Sequence, residues 1–511
     1  MTGWMPAFVV LPLISAFVLP ILGGRRFKPV ATVFANLVTL ALLLLALAWL
    51  PRLLAEKVAT YRVGNWDPRV GILMVLDGLS WLMLAVIAIV SAAAMLFGAR
   101  YMEQYTAKAK YLSLFMLMLA GMNGVVLAGD LFNLFVFLEI ASIASYALVG
   151  FGCKDEQLEA SFKYMVIGGV GSSLILLGIA LVYGNAAALN MAFVSKAISS
   201  YGWNNGLTFA LVLFVVGFGI KAAVVPFHAW LPDAHPAAPA PISAMLSGLL
   251  IKTLGVYGLT RVIFNVFGLT GSIGWVLIGL GLASMVTGAL LGIGQWDVKR
   301  LLAYSSISQV GYIFAGLGLG AVLLQLGNAH RDLARWAVLG ALLHLANHAV
   351  YKALLFLTSG SIEMATGTRQ MDRLGGLAQR MPLTRAACLI GSASIAGIFP
   401  FAGFWSKLVL VVAAVQARFF WLAAAMVAVA VCTLIMYLRL HRYVFLGPLP
   451  ESAGMVRDCQ GSMRVAMLIL TVVTLAMGLV LIVPQVRGSV LDPAVDVVVG
   501  GVKQYLAMLE G

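Results

Sequence analysis

Long runs of apolar residues are the feature that most restricts how this chain can fold. A run of about 18–25 apolar residues is long enough to cross the hydrocarbon core of a membrane as a helix. Runs of this kind lie near residues 4–22, 29–50, 73–99, 111–128, 130–152, 161–184, 208–226, 242–264, 274–293, 300–320, 335–360, 384–411, 421–443 and 463–484. The sequence therefore predicts an all-α polytopic membrane protein with about 14 transmembrane helices.

The charge content excludes the other structural classes. Only 10% of the 511 residues are charged, whereas a soluble protein has about a quarter of its residues charged. Soluble, disordered and fibrous proteins are excluded, and the expected surroundings are a lipid bilayer. The formal charge of +14 could also indicate a nucleic-acid partner. The basic residues are not clustered, however, so no nucleic acid is expected.

The basic residues instead indicate how the chain is oriented. With the N-terminus outside, the cytoplasmic loops hold 18 of the 33 Lys and Arg residues, beginning with Arg25, Arg26 and Lys28, and the outer loops hold 11. Because cytoplasmic loops are enriched in Lys and Arg, this bias predicts that both termini lie outside. Residues 1–24 carry no charged side chain, unlike the basic leader of a signal peptide, so the first span is expected to be retained.

Two of the predicted spans are interrupted by proline. Five of the 17 prolines lie between Pro226 and Pro241, and Pro400 and Gly403 lie in the middle of the twelfth span. Because proline frees backbone groups that cannot face lipid, such breaks are expected inside a bundle or beside water. Spans seven and twelve cross in opposite directions, which is typical of two inverted five-helix repeats, each with a broken helix. The predicted division is 1–110 for the first three helices, 111–264 and 265–445 for the repeats, and 446–511 for the last helix and a short tail.

Charged side chains inside the spans are the main functional candidates. A charge at the centre of a span costs about 2.5–3.5 kcal/mol on insertion scales, so a retained one usually has a function. Those on spans five, seven, eight, eleven and twelve are Glu139, Lys221, Lys252, Lys352 and Lys407. His344 and His348 share one helix face with Lys352, since they precede it by eight and four residues. Amines, imidazoles and a carboxylate that exchange protons would form a path across the membrane.

Polar residues near these charges are predicted to support the path. Ser305 and Ser308 lie on the tenth span, and His228 and Asp233 lie in the proline-rich break. Other interpretations stay open, because a lone lysine can extend to the interface or pair structurally, and a histidine in a break can satisfy backbone groups.

No cofactor or metal site is predicted, and no catalytic residue. The four cysteines (Cys153, Cys388, Cys432 and Cys459) have no paired spacing. His344 and His348 have the spacing of a helical metal pair, but no carboxylate lies between them. There is no glycine-rich phosphate loop and no nucleophile elbow.

Six motifs lie along about residues 70–445: LDGLS around Asp77, GDLFNLFVFLEIASIASYALVG around Glu139, KAAVVPFHAWLPDAHPAAPAPISAMLSGLLIKTLGVYGLTR, DVKRLLAYSSISQVGY, HLANHAVYKALLFLTSGSI and FPFAGFWSK. In these motifs the sequence resembles the antiporter-like subunits of respiratory complex I, membrane-bound hydrogenases and Mrp-type multisubunit Na+/H+ antiporters. The resemblance is strongest to the D-type Mrp subunit.

The resemblance implies fourteen helices with two inverted repeats, and a polar axis that runs from a glutamate–lysine pair to a charged residue on the twelfth span. Glu139 and Lys221 would be the pair, and Lys407 stands where some members of the family have glutamate. The tail after residue 484 is too short for the long lateral helix of the largest members. The implied location is the inner (plasma) membrane of a prokaryotic cell, and the implied partners are other membrane subunits, including related antiporter-like ones.

The leading hypothesis is a subunit that translocates protons, with sodium open as a second ion, in a multisubunit complex. The alternative is a proton-pumping subunit of an NADH:quinone oxidoreductase or hydrogenase, driven by electron transfer in partner subunits. Two further functional hypotheses are a stand-alone secondary transporter and a purely structural scaffold. The carboxylates Asp77, Asp130 and Asp233 are weak candidates for sodium ligands.

Overall fold

The computed structural model describes residues 2–22, 28–449 and 456–503. Arg25, Arg26 and the end of the predicted tail from residue 504 lie outside the described residues. The helices are α1 Ala7–Leu22, α2 Lys28–Glu56, α3 Gly78–Tyr101, α4 Lys108–Leu127, α5 Leu131–Val149, α6 Asp155–Ala186, α7 Met191–Tyr201, α8 Asn205–Ala222, α9 Leu231–Ala237, α10 Ala240–Phe267, α11 Ile273–Ile293, α12 Val298–Gln325, α13 Arg331–Thr366, α14 Pro382–Ala396, α15 Ala402–Gln416, α16 Phe420–Val444, α17 Ser462–Met477, α18 Pro484–Val490 and α19 Asp492–Gly500.

The helices confirm the prediction of a polytopic helical membrane protein. In the described part of the chain, 11 helices are long and apolar enough to cross a membrane. Three shorter apolar helices accompany them, Ala7–Leu22, Ala402–Gln416 and Ser462–Met477. The exact number of fourteen spans stays a prediction.

The start of the third predicted span is wrong, because residues 73–77 do not form a helix. They form strand β2, Leu73–Asp77, which pairs antiparallel with β1, Val58–Arg62. A short apolar run can be a strand or a helix by its periodicity alone, and here the pairing with β1 decides. The helix begins only after Asp77, whose carboxylate accepts a hydrogen bond of 2.9 Å from the backbone nitrogen of Ser80.

Both predicted interruptions are present and are built alike. The residue that follows α8, Ala223, has a left-handed backbone (φ 55°), and so has Gly397, which follows α14 (φ 84°). A proline follows each of these residues three positions later, Pro226 and Pro400. The chain then re-enters a helix, as α9 in the first case and α15 in the second. Spans seven and twelve are therefore broken helices.

The backbone freed by the first break is satisfied by protein side chains. The carbonyl oxygens of residues 235–238 each accept a hydrogen bond, and the donors come from four segments of the chain: Ser243 (2.9 Å), Arg369 (2.8 Å), Gln157 (3.0 Å) and Lys299 (3.1 Å). Irregular backbone at membrane depth is tolerated when it is enclosed in this way.

The first turns of α5 and α12 give a second match between the two repeats. Asp130 and Asp297 cap these helices, accepting hydrogen bonds of 2.6 Å and 3.0 Å from the backbone nitrogens three residues later. Each aspartate also pairs with a distant residue in an isolated antiparallel bridge, Asp130 with Asn190 and Asp297 with Gln370. These matches support the inverted repeat, while its limits at 111–264 and 265–445 stay predictions.

The centre of the molecule is the contact between α10 and α13. Helix α8 packs on α10, and α13 packs on α15, so the four form a continuous row from one broken helix to the other. At the periphery, α2 exposes large apolar side chains along one face, including Val33, Leu37, Leu40 and Leu44. This face suits contact with lipid.

Candidate functional site

Glu139 and Lys221 form an ion pair between α5 and the end of α8. The Nζ atom of Lys221 lies 3.7 Å from Oε1 of Glu139. The lysine side chain is 3% exposed, whereas the glutamate side chain is 28% exposed. The carboxylate therefore lies at the edge of the protein, and the amine lies inside it.

Neutral groups complete the surroundings of this pair. Lys221 donates to the Ser142 hydroxyl at 3.0 Å and to the Tyr146 hydroxyl at 3.2 Å. Ser172 of α6 donates to the Glu139 carboxylate. Because the ammonium has two neutral acceptors besides the carboxylate, it keeps hydrogen-bond partners when the ion pair opens.

A stack of aromatic rings connects the pair with the broken helix. The Tyr146 ring meets the Tyr164 ring edge-on at 4.5 Å between centroids, and Tyr164 stacks on Trp230 at 4.1 Å. The Trp230 Nε1 atom donates to the carbonyl oxygen of Ile220 at 3.0 Å, next to Lys221. The rings thus form a continuous contact between the break and the residues around the ion pair.

Lys252 lies at the centre of the molecule, on a stretch of α10 with π-helical hydrogen bonding, Leu246–Tyr257. Its side chain is fully buried, and its Nζ atom donates to the carbonyl oxygen of Ser247 at 2.5 Å. Among the described residues, no carboxylate forms an ion pair with it. π-helical hydrogen bonding is rare in proteins and is frequently found at functional sites.

His344 and His348 lie on one face of α13, and the structure shows their rings stacked on one another. Their ring centroids are 6.2 Å apart and the planes differ by 5°. His344 Nδ1 lies 2.9 Å from the Ser406 hydroxyl of α15. Within the described chain, neither ring nitrogen of His348 has a hydrogen-bond partner, although the residue is fully buried. A buried imidazole with both nitrogens available is suited to receive and pass a proton.

Lys352 lies well inside α13, because this helix continues beyond the predicted end of the span at residue 360. The helix runs to Thr366, and the lysine is fully buried. Its Nζ atom donates to the Ser305 hydroxyl at 2.5 Å and to the Tyr437 hydroxyl at 3.4 Å. Ser305, predicted as a supporting residue, thus contacts a charged residue of the candidate path directly.

Lys407 lies beside the second break. Its Nζ atom donates to the carbonyl oxygen of Ile395 at 2.7 Å and lies 5.0 Å from the centroid of the Tyr312 ring. The side chain is buried, with 6% of the residue exposed. The row of candidate groups therefore ends at the break in α14–α15, as it begins at the break after α8.

The other predicted supporting residues lie away from this row. Asp233 pairs with Lys163 at 3.2 Å and with Arg300 at 3.7 Å near the surface. His228 is half-buried in the break, and Ser308 donates to the carbonyl oxygen of Met285 at 3.0 Å. These three contact none of the seven charged or histidine residues through a hydrogen bond or ion pair in the described structure.

The sequence did not reveal a buried ion pair near the C-terminal end of α10. Arg261 Nη2 lies 2.5 Å from Oδ1 of Asp77, and both side chains are buried. Arg261 also donates to the hydroxyl groups of Tyr257 (2.9 Å) and Ser80 (2.9 Å). Arg261 lies three residues before the end of the predicted span 242–264, and the count of basic residues on each side included it with the outer loops. The carboxylate of Asp77, a weak candidate for a sodium ligand, is instead bound by the guanidinium group of Arg261.

The arrangement places four amines, two imidazoles and one carboxylate, all of them groups that can hold a proton, in one largely buried row. Among the described residues, no group of three or more His, Cys, Asp and Glu side chains could hold a metal ion.

Comparison with known proteins decides the family. Residues 128–433, which include all seven groups of the row, match the family model described as "NADH:quinone oxidoreductase/Mrp antiporter, TM". The chain belongs to this family. The resemblance inferred from the motifs is therefore confirmed, and residues 62–112 also match the model "NADH-Ubiquinone oxidoreductase (complex I), chain 5 N-terminus".

Relatives of this NADH:quinone oxidoreductase/Mrp antiporter family cover nearly the whole chain. The N-type NADH-quinone oxidoreductase subunit of Desulforudis audaxviator is 34% identical over 462 residues, 88% of this chain and 88% of that protein. The D-type Na(+)/H(+) antiporter subunit of Alkalihalophilus pseudofirmus is 30% identical, over 96% of this chain and 98% of that protein. A chain of the Mrp complex from Dietzia sp. DQ12-45-1b superposes with a TM-score of 0.88 at 29% identity, covering 99% of both chains.

Proposed function

We propose that this chain translocates protons as one subunit of a multisubunit membrane complex. The observation that carries the proposal is the Glu139–Lys221 ion pair at one end of a row of buried amines and imidazoles. So many charged groups would be costly to retain inside a membrane without a function. The family supports the proposal, since relatives that match 88% and 96% of the chain are a quinone oxidoreductase subunit and an antiporter subunit.

In the proposed cycle the ion pair controls the first proton transfer. When Glu139 moves away or takes up a proton, Lys221 loses its counter-ion and gives its proton to neutral Lys252. That proton passes through His348 and His344 to Lys407 and is released beyond the second break, because His344 contacts Ser406, the neighbour of Lys407. Lys352, one turn from His348 on the same helix face, is a second amine that exchanges protons with His348. Lys221 is then reprotonated through Glu139, which passes on the proton that it took up or one from water at its exposed edge. The pair closes again, so each cycle moves one proton and leaves every group as it began.

Glu139→Gln is the direct test, because glutamine keeps the size of the side chain and the acceptor for Ser172 but cannot form the ion pair. We expect reconstituted proton transport to fall below about one-tenth of the wild-type rate while the subunit still assembles. Glu159→Gln is the matched control, since Glu159 pairs with Lys163 on the exposed face of α6 and should be dispensable. Normal transport by an assembled Glu139→Gln complex would contradict the proposal.

The partners and the driver of transport are part of the proposal. A cation antiporter complex with related antiporter-like subunits is one arrangement, and the match to a D-type Na(+)/H(+) antiporter subunit over 98% of its length favours it. A redox-driven complex is the second arrangement, and the 34% identity to an N-type quinone oxidoreductase subunit favours that one. Purification of the native complex separates the two, because only the second would contain iron–sulfur or nickel–iron subunits. Transport with and without sodium would then show whether sodium is carried.

A further inference from the structure

A second buried lysine–carboxylate pair lies near the other end of α13, outside the row described above. Lys299 Nζ is 2.8 Å from Oε2 of Glu363. The lysine side chain is 2% exposed and the glutamate side chain 27% exposed, almost the same division as in the Lys221–Glu139 pair. A partly exposed carboxylate thus again contacts a buried amine.

This second pair lies on the side that the basic loops assign to the cytoplasm. Lys299 is in the first turn of α12, and Glu363 is in the last turn of α13. Arg369 is near Glu363 at 3.7 Å, but it is bound more closely by Asp297 (2.5 Å) and Glu156 (2.6 Å). Glu363 is therefore left mainly to Lys299, and its partly exposed side chain lies between that buried amine and the surface.

Other titratable groups also face the pair. The phenol groups of Tyr101, at the end of α3, and of Tyr105, in the loop that follows, interact electrostatically with Glu363. Lys299 also interacts with Tyr105 and donates to the carbonyl oxygen of Ala238. Glu363 is the carboxylate that contacts the lysine directly.

His235 lies between this pair and the central lysines. It is fully buried on α9, and within the described chain neither of its ring nitrogens has a hydrogen-bond partner. Its ring lies 4.6 Å from the Phe356 ring, and Lys352 Nζ lies 5.7 Å from that same ring. The charges of Lys352, Lys252 and Lys299 all act on the imidazole. An imidazole without partners, among three amines, is placed to pass a proton between them.

We propose that Glu363, Lys299 and His235 take up protons from the cytoplasm and deliver them to the central lysines. This inference rests on the proposed function. A proton from cytoplasmic water binds the Glu363 carboxylate and opens the ion pair. Lys299 then gives its own proton to neutral His235 and receives the one held by Glu363, so the pair re-forms. His235 passes its proton to neutral Lys252 or Lys352, and one proton has entered the row.

The test measures transport by the assembled complex in inverted vesicles while the cytoplasmic-side pH is varied and the other side is fixed. The variants are Glu363→Gln and His235→Gln. Glu103→Gln and His330→Gln are matched controls, because both residues are exposed and lie outside the proposed path. We expect each test variant to transport at no more than about one-tenth of the wild-type rate. The residual transport of Glu363→Gln should also lose its dependence on cytoplasmic pH.

Glu139→Gln, measured in parallel, separates failure of this inference from failure of the proposed function. Loss of transport in Glu139→Gln with normal transport in Glu363→Gln would overturn the uptake path alone. A slower Glu363→Gln complex with an unchanged pH profile would also overturn it, because a merely structural pair would behave in that way. Normal transport in Glu139→Gln would overturn both. If Glu363→Gln fails to assemble, the rate and pH profile of His235→Gln decide by the same criteria.

Discussion

Lys407 Nζ lies 2.7 Å from the carbonyl oxygen of Ile395, so a lysine on the second half of a broken helix binds the end of the first half. The last carbonyl oxygens of a helix have no partner within it and carry a partial negative charge. A cation is favourable there, and Lys407 also contacts the Ala396 carbonyl oxygen at 3.5 Å. The residue proposed as the last proton carrier therefore also holds the break together.

Substitution of Lys407 can separate these two roles. Arginine can still donate to the helix end, but it does not release its proton in proteins. We expect Lys407→Arg to assemble with nearly wild-type stability and to lose proton transport by more than about tenfold. Lys407→Met should lose both stability and proton transport, because methionine can neither donate to the helix end nor carry a proton. Lys110→Arg, at an exposed lysine on α4, is the control and should transport normally. Active transport by Lys407→Arg would exclude a proton-carrying role for this residue.

The buried pair of Arg261 and Asp77 is expected to contribute strongly to stability. Removing one member of a buried ion pair leaves the other without compensation and typically costs about 3–5 kcal/mol. Arg261→Met should therefore lower the unfolding temperature of the purified subunit sharply. The double variant Arg261→Met/Asp77→Asn should recover part of the loss, because no buried charge then remains unpaired.

The exposed pair of Arg52 and Glu56 on α2 provides the comparison for that experiment. Its atoms are 2.9 Å apart and the glutamate side chain is 47% exposed. Exposed pairs at this spacing contribute only about 0.3–0.5 kcal/mol, so Glu56→Gln should leave the unfolding temperature almost unchanged. Equal effects of Arg261→Met and Glu56→Gln would contradict the assigned importance of the buried pair.

Much of the fold follows from the sequence, because the membrane makes apolar length and proline position decisive. The positions of the interruptions around Pro226 and Pro400 could be predicted from the sequence alone, and so could the seven charged or histidine residues inside the spans. The position of His344 and His348 on one helix face also follows from their spacing.

The contacts that could not be predicted join residues far apart in the chain. Arg261 meets Asp77 across 184 positions, and no local pattern indicates that pairing. The predicted span limits place Lys299 in a basic loop beside Arg300, yet packing of α12 against α13 buries it beside Glu363. Similarly, strand β2 requires a partner strand that periodicity does not reveal.

Gly403 is expected to be essential for the packing of the second break. A Cβ atom at this position would collide with the backbone carbonyl of Ser394, which cannot move aside as a side chain could. Gly403→Ala should destabilise the protein by about 1–3 kcal/mol and reduce transport, since Lys407 lies one turn further along α15. Gly488→Ala is the matched control, because a Cβ atom there meets no heavy atom within 4 Å. Similar unfolding temperatures for the two variants would show that α15 can shift to accommodate the methyl group.

The predicted orientation can be tested with the native cysteines. Cys153 is exposed in the loop after α5, on the side predicted to face the cytoplasm. A membrane-impermeant maleimide should label it in inverted vesicles but not in right-side-out vesicles, and Cys153→Ser should abolish that labelling. Labelling from the outer side would reverse the predicted orientation of both termini.

Cys459 lies before α17, on the same predicted side, and the rate at which a maleimide labels it should depend strongly on pH. Burial, together with the neighbouring Asp458 carboxylate, raises the pKa of its thiol to about 11. The thiolate is the reactive form, so at neutral pH nearly all of this thiol is protonated and unreactive. Below that pKa each added pH unit raises the thiolate fraction about tenfold, and labelling in a Cys153→Ser background should accelerate accordingly from pH 7 to 9. A rate that does not rise with pH would show that access to the thiol, and not its ionisation, limits the reaction.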